Sequence, residues 1–228
     1  MRFPLCLFLA LSFAATSFAQ NKTNGFEKDI LAFEARDKTN PPPKHAVLFI
    51  GSSSIRMWKT LARDFPDYQV INRGFGGSQI SDSIYFADRI VIPYEPRVIV
   101  LYAGGNDINA KKSPETVFQD FKTFVTKVRE KLPATKLVYI SVAPNPARWA
   151  QIDRVREANR LIREYTAQQP GLSFIDVHPR MLGEDGQPKP DIYLADKLHM
   201  NEKGYTIWKQ VVGEHLKSMT QTQAGGEK

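Results

Sequence analysis

Five short apolar, β-rich runs recur along this chain, over residues 46–50, 69–71, 98–102, 137–142 and 173–177. They are not broken by alternating polar positions, so the pattern predicts central parallel strands covered on both faces rather than strands with one wet side. Between them the apolar period changes to that of a helix. Phe26, Ile30, Leu31 and Phe33 share one face of a segment over 26–38, which Pro41-Pro42-Pro43 ends. Further helices are predicted over 55–62, 80–89, 117–132, 148–165 and 202–216, the third announced by Ser113-Pro114-Glu115. Strands alternating with helices imply right-handed crossovers and a three-layer α/β/α sandwich around a five-stranded parallel sheet. No repeat, low-complexity tract or linker divides the 228 residues, a length that suits one domain with a sizeable core. Residues 218–228 lack periodicity and are expected to be frayed.

The first nineteen residues carry a different signal. Arg2 precedes an apolar stretch from Leu5 to Phe13, and Ser17-Phe18-Ala19 supplies small residues before Gln20. This is the pattern of a cleaved secretory signal, so residues 20–217 are the expected mature domain and its destination the periplasm or the medium. The apolar stretch is too short to span a bilayer, and stable membrane insertion is not expected. Cys6, the one cysteine, lies in this leader, so thiol catalysis and cysteine-held metal are excluded from the mature chain. Loss of Arg2 with the leader lowers the formal charge from +7 to +6. Lysines and arginines are scattered among acids with no run longer than Lys111-Lys112, which argues for a mixed solvated surface and against nucleic-acid binding.

Four islands carry candidate chemistry, each just after a predicted strand or at the start of a helix, where α/β sheets gather ligands. Gly51-Ser52-Ser53-Ser54 leads from a strand into a helix and exposes a serine, although serines there also serve as N-caps. It lacks the Gly-x-Ser-x-Gly elbow, because Ile55 occupies the second glycine position, and spacing alone does not single out one serine. Asn72-Arg73-Gly74-Phe75-Gly76-Gly77 follows the second strand, where glycines suit either close approach of backbone to a ligand or a tight turn. Gly104-Gly105-Asn106-Asp107 offers a neutral amide donor, or simply a Gly-Asn turn. Asp196-Lys197-Leu198-His199 spaces a carboxylate and an imidazole so that both lie on one face, with the carboxylate free to fix the tautomer that leaves Nε2 as base. Asp176 and His178 form a rival pair, whereas His45 and His215 suit solvated or capping roles. A metal at Asp196 and His199 lacks a third ligand at recognisable spacing.

In this order the islands resemble those of the GDSL or SGNH hydrolase superfamily of serine esterases and lipases, over roughly residues 26–216. The stretch 49–58 resembles secreted bacterial members related to the acetylhydrolases of platelet-activating factor. The resemblance implies the SGNH, flavodoxin-like sandwich, with Ser53 as nucleophile and Ser52 in place of the usual aspartate. It also implies oxyanion donors at the Gly77 N–H, the Asn106 amide and the Ser53 N–H, and a triad completed by Asp196 and His199. Asp107 is expected to order its loop. Together these imply an exported serine esterase acting on short acyl esters of small molecules or polysaccharides, acetyl foremost, without a cofactor. Lysophospholipid esters are the alternative within the same chemistry. A glycan-binding pseudoenzyme and a metal-dependent phosphodiesterase are rivals from other classes. Trp58, Phe75, Trp149 and Tyr193 are candidates to stack on sugars or to pack in the core, and Arg73 and Arg148 to pair with an anionic substrate or a nearby carboxylate. Oligomeric state is not legible.

Overall fold

The apolar runs become the five strands β1 (Val47–Gly51), β2 (Val70–Gly74), β3 (Val98–Tyr102), β4 (Lys136–Ile140) and β5 (Leu172–Ile175). The computed structural model describes residues 25–224, with side chains as far as 219, so the predicted leader and the last four residues lie outside it. All strand pairs are parallel, in the order β2-β1-β3-β4-β5. The chain therefore moves outward from β1 to β2, returns past it to β3 and continues the other way. That reversal opens a crevice beyond the carboxyl ends of β1 and β3, where sheets of this kind bind ligands.

The helices are α1 (Glu27–Thr39), α2 (Ser53–Arg56), α3 (Leu61–Asp64), α4 (Ile80–Ile90), α5 (Gly105–Asn109), α6 (Pro114–Lys131), α7 (Ile152–Ala167), α8 (His178–Met181) and α9 (Glu202–Ala224). Successive side chains of a strand point to opposite faces, and β1 shows the consequence. Leu48 and Ile50 join the layer made by α1, α4, α6 and α7, while Val47 and Phe49 join the layer of α2, α3, α8 and α9. Both faces of β1 and β3 are apolar along their length, which is why these central strands read as unbroken runs. Ser113 caps α6 by accepting from the Thr116 N–H at 3.2 Å, as its start signal predicts. Among the described residues no helix is long and apolar enough to cross a membrane.

Three helix boundaries differ from the pattern. The segment predicted as a helix over 55–62 is two single turns, α2 and α3, parted at Trp58. The Trp58 indole donates to Asp64 at 2.8 Å, and its ring packs against Phe49, Phe65 and Trp208. The segment over 148–165 begins instead as a 3-10 turn, Pro146–Gln151, before α7 proper. Finally, α9 runs past Leu216 to Ala224, since Met219 continues the apolar stripe of Val212 and Leu216 and no glycine or proline intervenes before Gly225.

Candidate active site

β1 ends at Gly51 with φ +133°, and a Cβ there would stand 1.9 Å from the Tyr102 carbonyl oxygen. Only glycine lets the ends of β1 and β3 approach this closely. The Ser52 N–H then donates to that same carbonyl at 3.0 Å, so the turn springs from the sheet itself. Ser52 occupies the N-cap of α2 but its side chain makes no capping bond, and the three serines are not there simply to cap. Of the three hydroxyls, that of Ser53 meets an imidazole, with Oγ 2.9 Å from His199 Nε2. The Ser54 carbonyl accepts from the Tyr205 hydroxyl at 2.9 Å, which fastens α9 to the turn. Because α2 is one turn long, it offers the local N–H of Ser53 rather than a long helix dipole.

The imidazole comes from an irregular loop ahead of α9. Lys197 takes a left-handed φ of +57°, which folds Asp196 back on the residues that follow it. One Asp196 oxygen accepts from the N–H groups of Leu198 and His199, each at 2.9 Å, and the other faces His199 Nδ1 at 2.6 Å. The His199 ring, followed by those two backbone donors, holds the Asp196 pKa down at about 2. An anionic carboxylate can only accept, so Nδ1 carries the proton and Nε2 is left to accept from the Ser53 hydroxyl. The loop is pinned by the Leu194 N–H to the His199 carbonyl at 2.8 Å and by the Ala147 N–H to the Lys197 carbonyl at 3.0 Å.

Asn106 lies in α5, just beyond β3. Its Nδ2 donates to the Ser78 carbonyl at 3.0 Å, and its Oδ1 accepts from Arg148 Nη1 at 3.1 Å. The first bond joins the 104–107 island to the residue after Gly77, which has φ +88° and is exposed. Among the described residues the N–H groups of Ser53 and Gly77 have no protein acceptor. Ser53, Asn106 and His199 share one small cleft with Tyr102, Val142 and Arg148. Its volume is about 40 Å³. Gly77 stands beside that wall, through Ser78, rather than in it. Three islands separated in the chain thus line one cleft at the crevice that the strand order creates, and the fourth abuts it through the bond from Asn106 to Ser78.

The remaining candidates go elsewhere. Asp176 and His178 do not form a second dyad. The Asp176 carboxylate pairs with Arg163 and accepts from the His178 backbone N–H, while the half-buried His178 ring meets the Val142 carbonyl at 2.6 Å. Burial lowers the pKa of that imidazole. The His215 ring lies 2.8 Å from the Ser173 hydroxyl, and the His45 N–H donates to the Glu95 carbonyl. Asp107 is fully buried, bonded to Lys112 at 2.9 Å and to the Ile80 N–H at 3.3 Å, so it ties α5 to the start of α4. Trp58, Phe75 and Tyr193 are core residues with exposures of 1%, 0% and 7%, which removes them as sugar platforms. Trp149 keeps partial exposure beneath the Arg156 guanidinium. Arg73 pairs with Asp37 at 2.6 Å between the rings of Phe33 and Tyr94. Arg148 has no carboxylate partner among the described residues, its acceptors being the Gly105 carbonyl and Asn106. The links made by Ser78 and Arg148 were not foreseen from sequence. The Asn145-Pro146 start of the 3-10 turn, where Asn145 accepts from the Arg148 N–H at 2.9 Å, is the one local signal that could have located Arg148.

A parallel α/β/α sandwich with a serine and an imidazole at its switch point is the framework of a carboxylic ester hydrolase, and this chain is one. Residues 37–207 match the GDSL-like Lipase/Acylhydrolase family, to which the chain belongs. It is 27% identical over 208 residues to the platelet-activating factor acetylhydrolase IB subunit alpha1 of Bos taurus, covering 85% of this chain and 84% of that one. A GDSL-like lipase from Bacteroides thetaiotaomicron superposes with a TM-score of 0.70 at 18% identity, over 84% of this chain and 98% of its own. An acetyl-xylooligosaccharide esterase from Geobacillus Stearmophilus superposes with a TM-score of 0.61 at 13% identity, over 75% and 94%. These last two likenesses are likenesses of fold.

Proposed function

We propose that this acylhydrolase is an exported serine esterase that removes short acyl groups, acetyl foremost, with Ser53, His199 and Asp196 as its triad. The observation that carries the reading is the unbroken relay from hydroxyl to imidazole to carboxylate, at 2.9 and 2.6 Å. As Ser53 Oγ attacks the ester carbonyl carbon, its proton passes to His199 Nε2, and Asp196 steadies the imidazolium. Negative charge gathers on the carbonyl oxygen, where the N–H groups of Ser53 and Gly77 and one Asn106 Nδ2–H receive it. Collapse of that intermediate breaks the bond to the alcohol, which leaves with the proton from His199. Water, giving a proton to the same nitrogen, then attacks the acyl-serine and frees the acid as Ser53 regains its hydrogen. No step calls for a cofactor.

The short acyl preference is supported by the small size of the cleft, about 40 Å³, walled by Tyr102, Val142 and Arg148. The bovine relative is by name an acetylhydrolase, and an esterase of acetylated xylooligosaccharides is built on the same fold. Saccharide acetates on the outside of the cell fit both the leader and the small acyl site. The test is a panel of p-nitrophenyl esters from acetyl to palmitoyl, run beside acetylated xylan. Rates that fall sharply beyond butyryl are expected, and rates that rise with chain length refute the short-acyl reading. A fluorophosphonate should label Ser53 in the native protein and fail to label Ser53→Ala. The export part is checked by N-terminal sequencing of protein recovered outside the cytoplasm, with Gln20 as the expected first residue.

A further inference from the structure

We infer that Arg148 is a positioning residue that locks the Asn106 amide in the orientation able to donate to the oxyanion. This rests on the oxyanion role proposed above for Asn106. An asparagine amide has nearly the same shape when turned over, but turning it exchanges a donor for an acceptor. A flipped Asn106 would present Oδ1 to a developing negative charge and repel it. The side chain is held between two neighbours that can each read only one of its ends. On one side is the Arg148 guanidinium, a donor without acceptor capacity, with Nη1 at 3.1 Å from Oδ1. On the other is the Ser78 carbonyl, an acceptor without a proton, 3.0 Å from Nδ2. Both select the same orientation, and one Nδ2–H stays unused for the cleft.

Arg148 is itself well held. Its Nη1 also donates to the Gly105 carbonyl at 3.1 Å, and its backbone N–H is tied to Asn145 at 2.9 Å. The preceding N–H, that of Ala147, donates to Lys197 in the triad loop. The Arg148 side chain is half-buried against the cleft wall, and no carboxylate among the described residues competes for it. An ammonium offers a single point in place of a planar fork, so lysine should reproduce the bond to Oδ1 only in part.

The test is a double-mutant cycle on full-length protein with p-nitrophenyl acetate, reading kcat and KM separately. Asn106→Ala should lower kcat by about 10²–10³, the usual effect of losing one oxyanion donor. Arg148→Met should lower kcat by roughly 10- to 100-fold with KM changed by less than about threefold, since the donor is misdirected rather than removed. Arg148→Lys should recover part of that loss. In the Asn106→Ala background Arg148→Met should cost less than about threefold, because the group it acts through is already gone. Multiplicative losses in the double variant, or an effect confined to KM, overturn the inference while leaving the oxyanion reading intact. An unchanged kcat in Asn106→Ala overturns the oxyanion reading and this inference with it. Should Arg148→Met fail to fold, the same cycle with Arg148→Lys gives the same decision.

Discussion

The two halves of the active site are built by different means. The serine half is an extension of the sheet: Gly51 ends β1 against the Tyr102 carbonyl, Ser52 continues the ladder, and α2 packs behind. The imidazole half is a loop whose shape comes from one carboxylate binding its own neighbours, and the Asp196 side chain is 47% exposed. A serine placed by a buried sheet cannot shift without the core. An imidazole placed by local hydrogen bonds in a loop leans on the core only at its ends, through Tyr193 and Met200, so the two halves should fail differently.

Removal of the attacking oxygen is the largest expected effect. Ser53→Ala should reduce kcat by about 10⁵–10⁶ with an unchanged circular dichroism spectrum and melting temperature, because the site is lost and the fold is not. Next comes Gly51→Ala, which drives a methyl into a backbone carbonyl at a φ that only glycine adopts freely. It should destabilise the protein by about 3–5 kcal/mol in urea titrations, if soluble protein is obtained, and activity should fall with the folded fraction. A Gly51→Ala protein of native stability would contradict the sheet-borne account of the serine half.

On the loop side, Asp196→Asn should lower kcat by roughly 10²–10⁴ with little change in KM, since an amide no longer enforces the tautomer that leaves Nε2 free. The upper end belongs to buried carboxylates, and solvent around Asp196 favours the lower part of the range. In the pH profile of activity, Asp196, ionised down to about 2, should add no second acid limb above pH 4. A second limb near pH 4 would show that the carboxylate is not held by the imidazole. Because the folded pKa lies below the ordinary 3.8, the Asp196 bonds favour the fold above about pH 4 and lose that contribution as pH falls towards 2. The effect on melting temperature should be small for so exposed a group. Smallest of all is Lys197→Gly. Lys197 also has positive φ, but its side chain projects into solvent, so glycine should alter stability by less than about 1 kcal/mol and kcat by less than about threefold. Set beside Gly51→Ala, it separates a backbone angle enforced by packing from one that is merely tolerated.

The centre of the sheet was readable in the chain because β1 and β3 are apolar on both faces, and the helices α4 and α6 because each shows a single apolar stripe. The break at Trp58 was not readable. Ile55, Trp58 and Leu61 recur at helical spacing, yet the indole turns aside to Asp64 and a cluster of rings drawn from β1 and α9. Nor was the 3-10 turn, where Arg148 takes φ −124° and ψ 22° to reach Gly105 and Asn106 from far along the sequence. In the site, the pairing of Asp196 with His199 was legible since three residues of spacing and a turn suffice to make it. The choice among Ser52, Ser53 and Ser54 came from family resemblance, because only the tertiary fold decides which hydroxyl faces an imidazole 146 positions away. Which of the aromatic candidates pack in the core was not legible for the opposite reason, since composition records ring size but not which layer the ring enters: Trp58, Phe75 and Tyr193 are buried and Trp149 is not.

The bond from Tyr205 to the Ser54 carbonyl and the reach of His199 to Ser53 join the start of the sandwich to its final helix. If the proposed triad is the catalytic one, a growing polypeptide on the ribosome would own its hydroxyl long before its imidazole, and would cleave no ester until the loop ahead of α9 had emerged and docked. A chain split between α7 and β5 would turn over substrate only when its two pieces find each other.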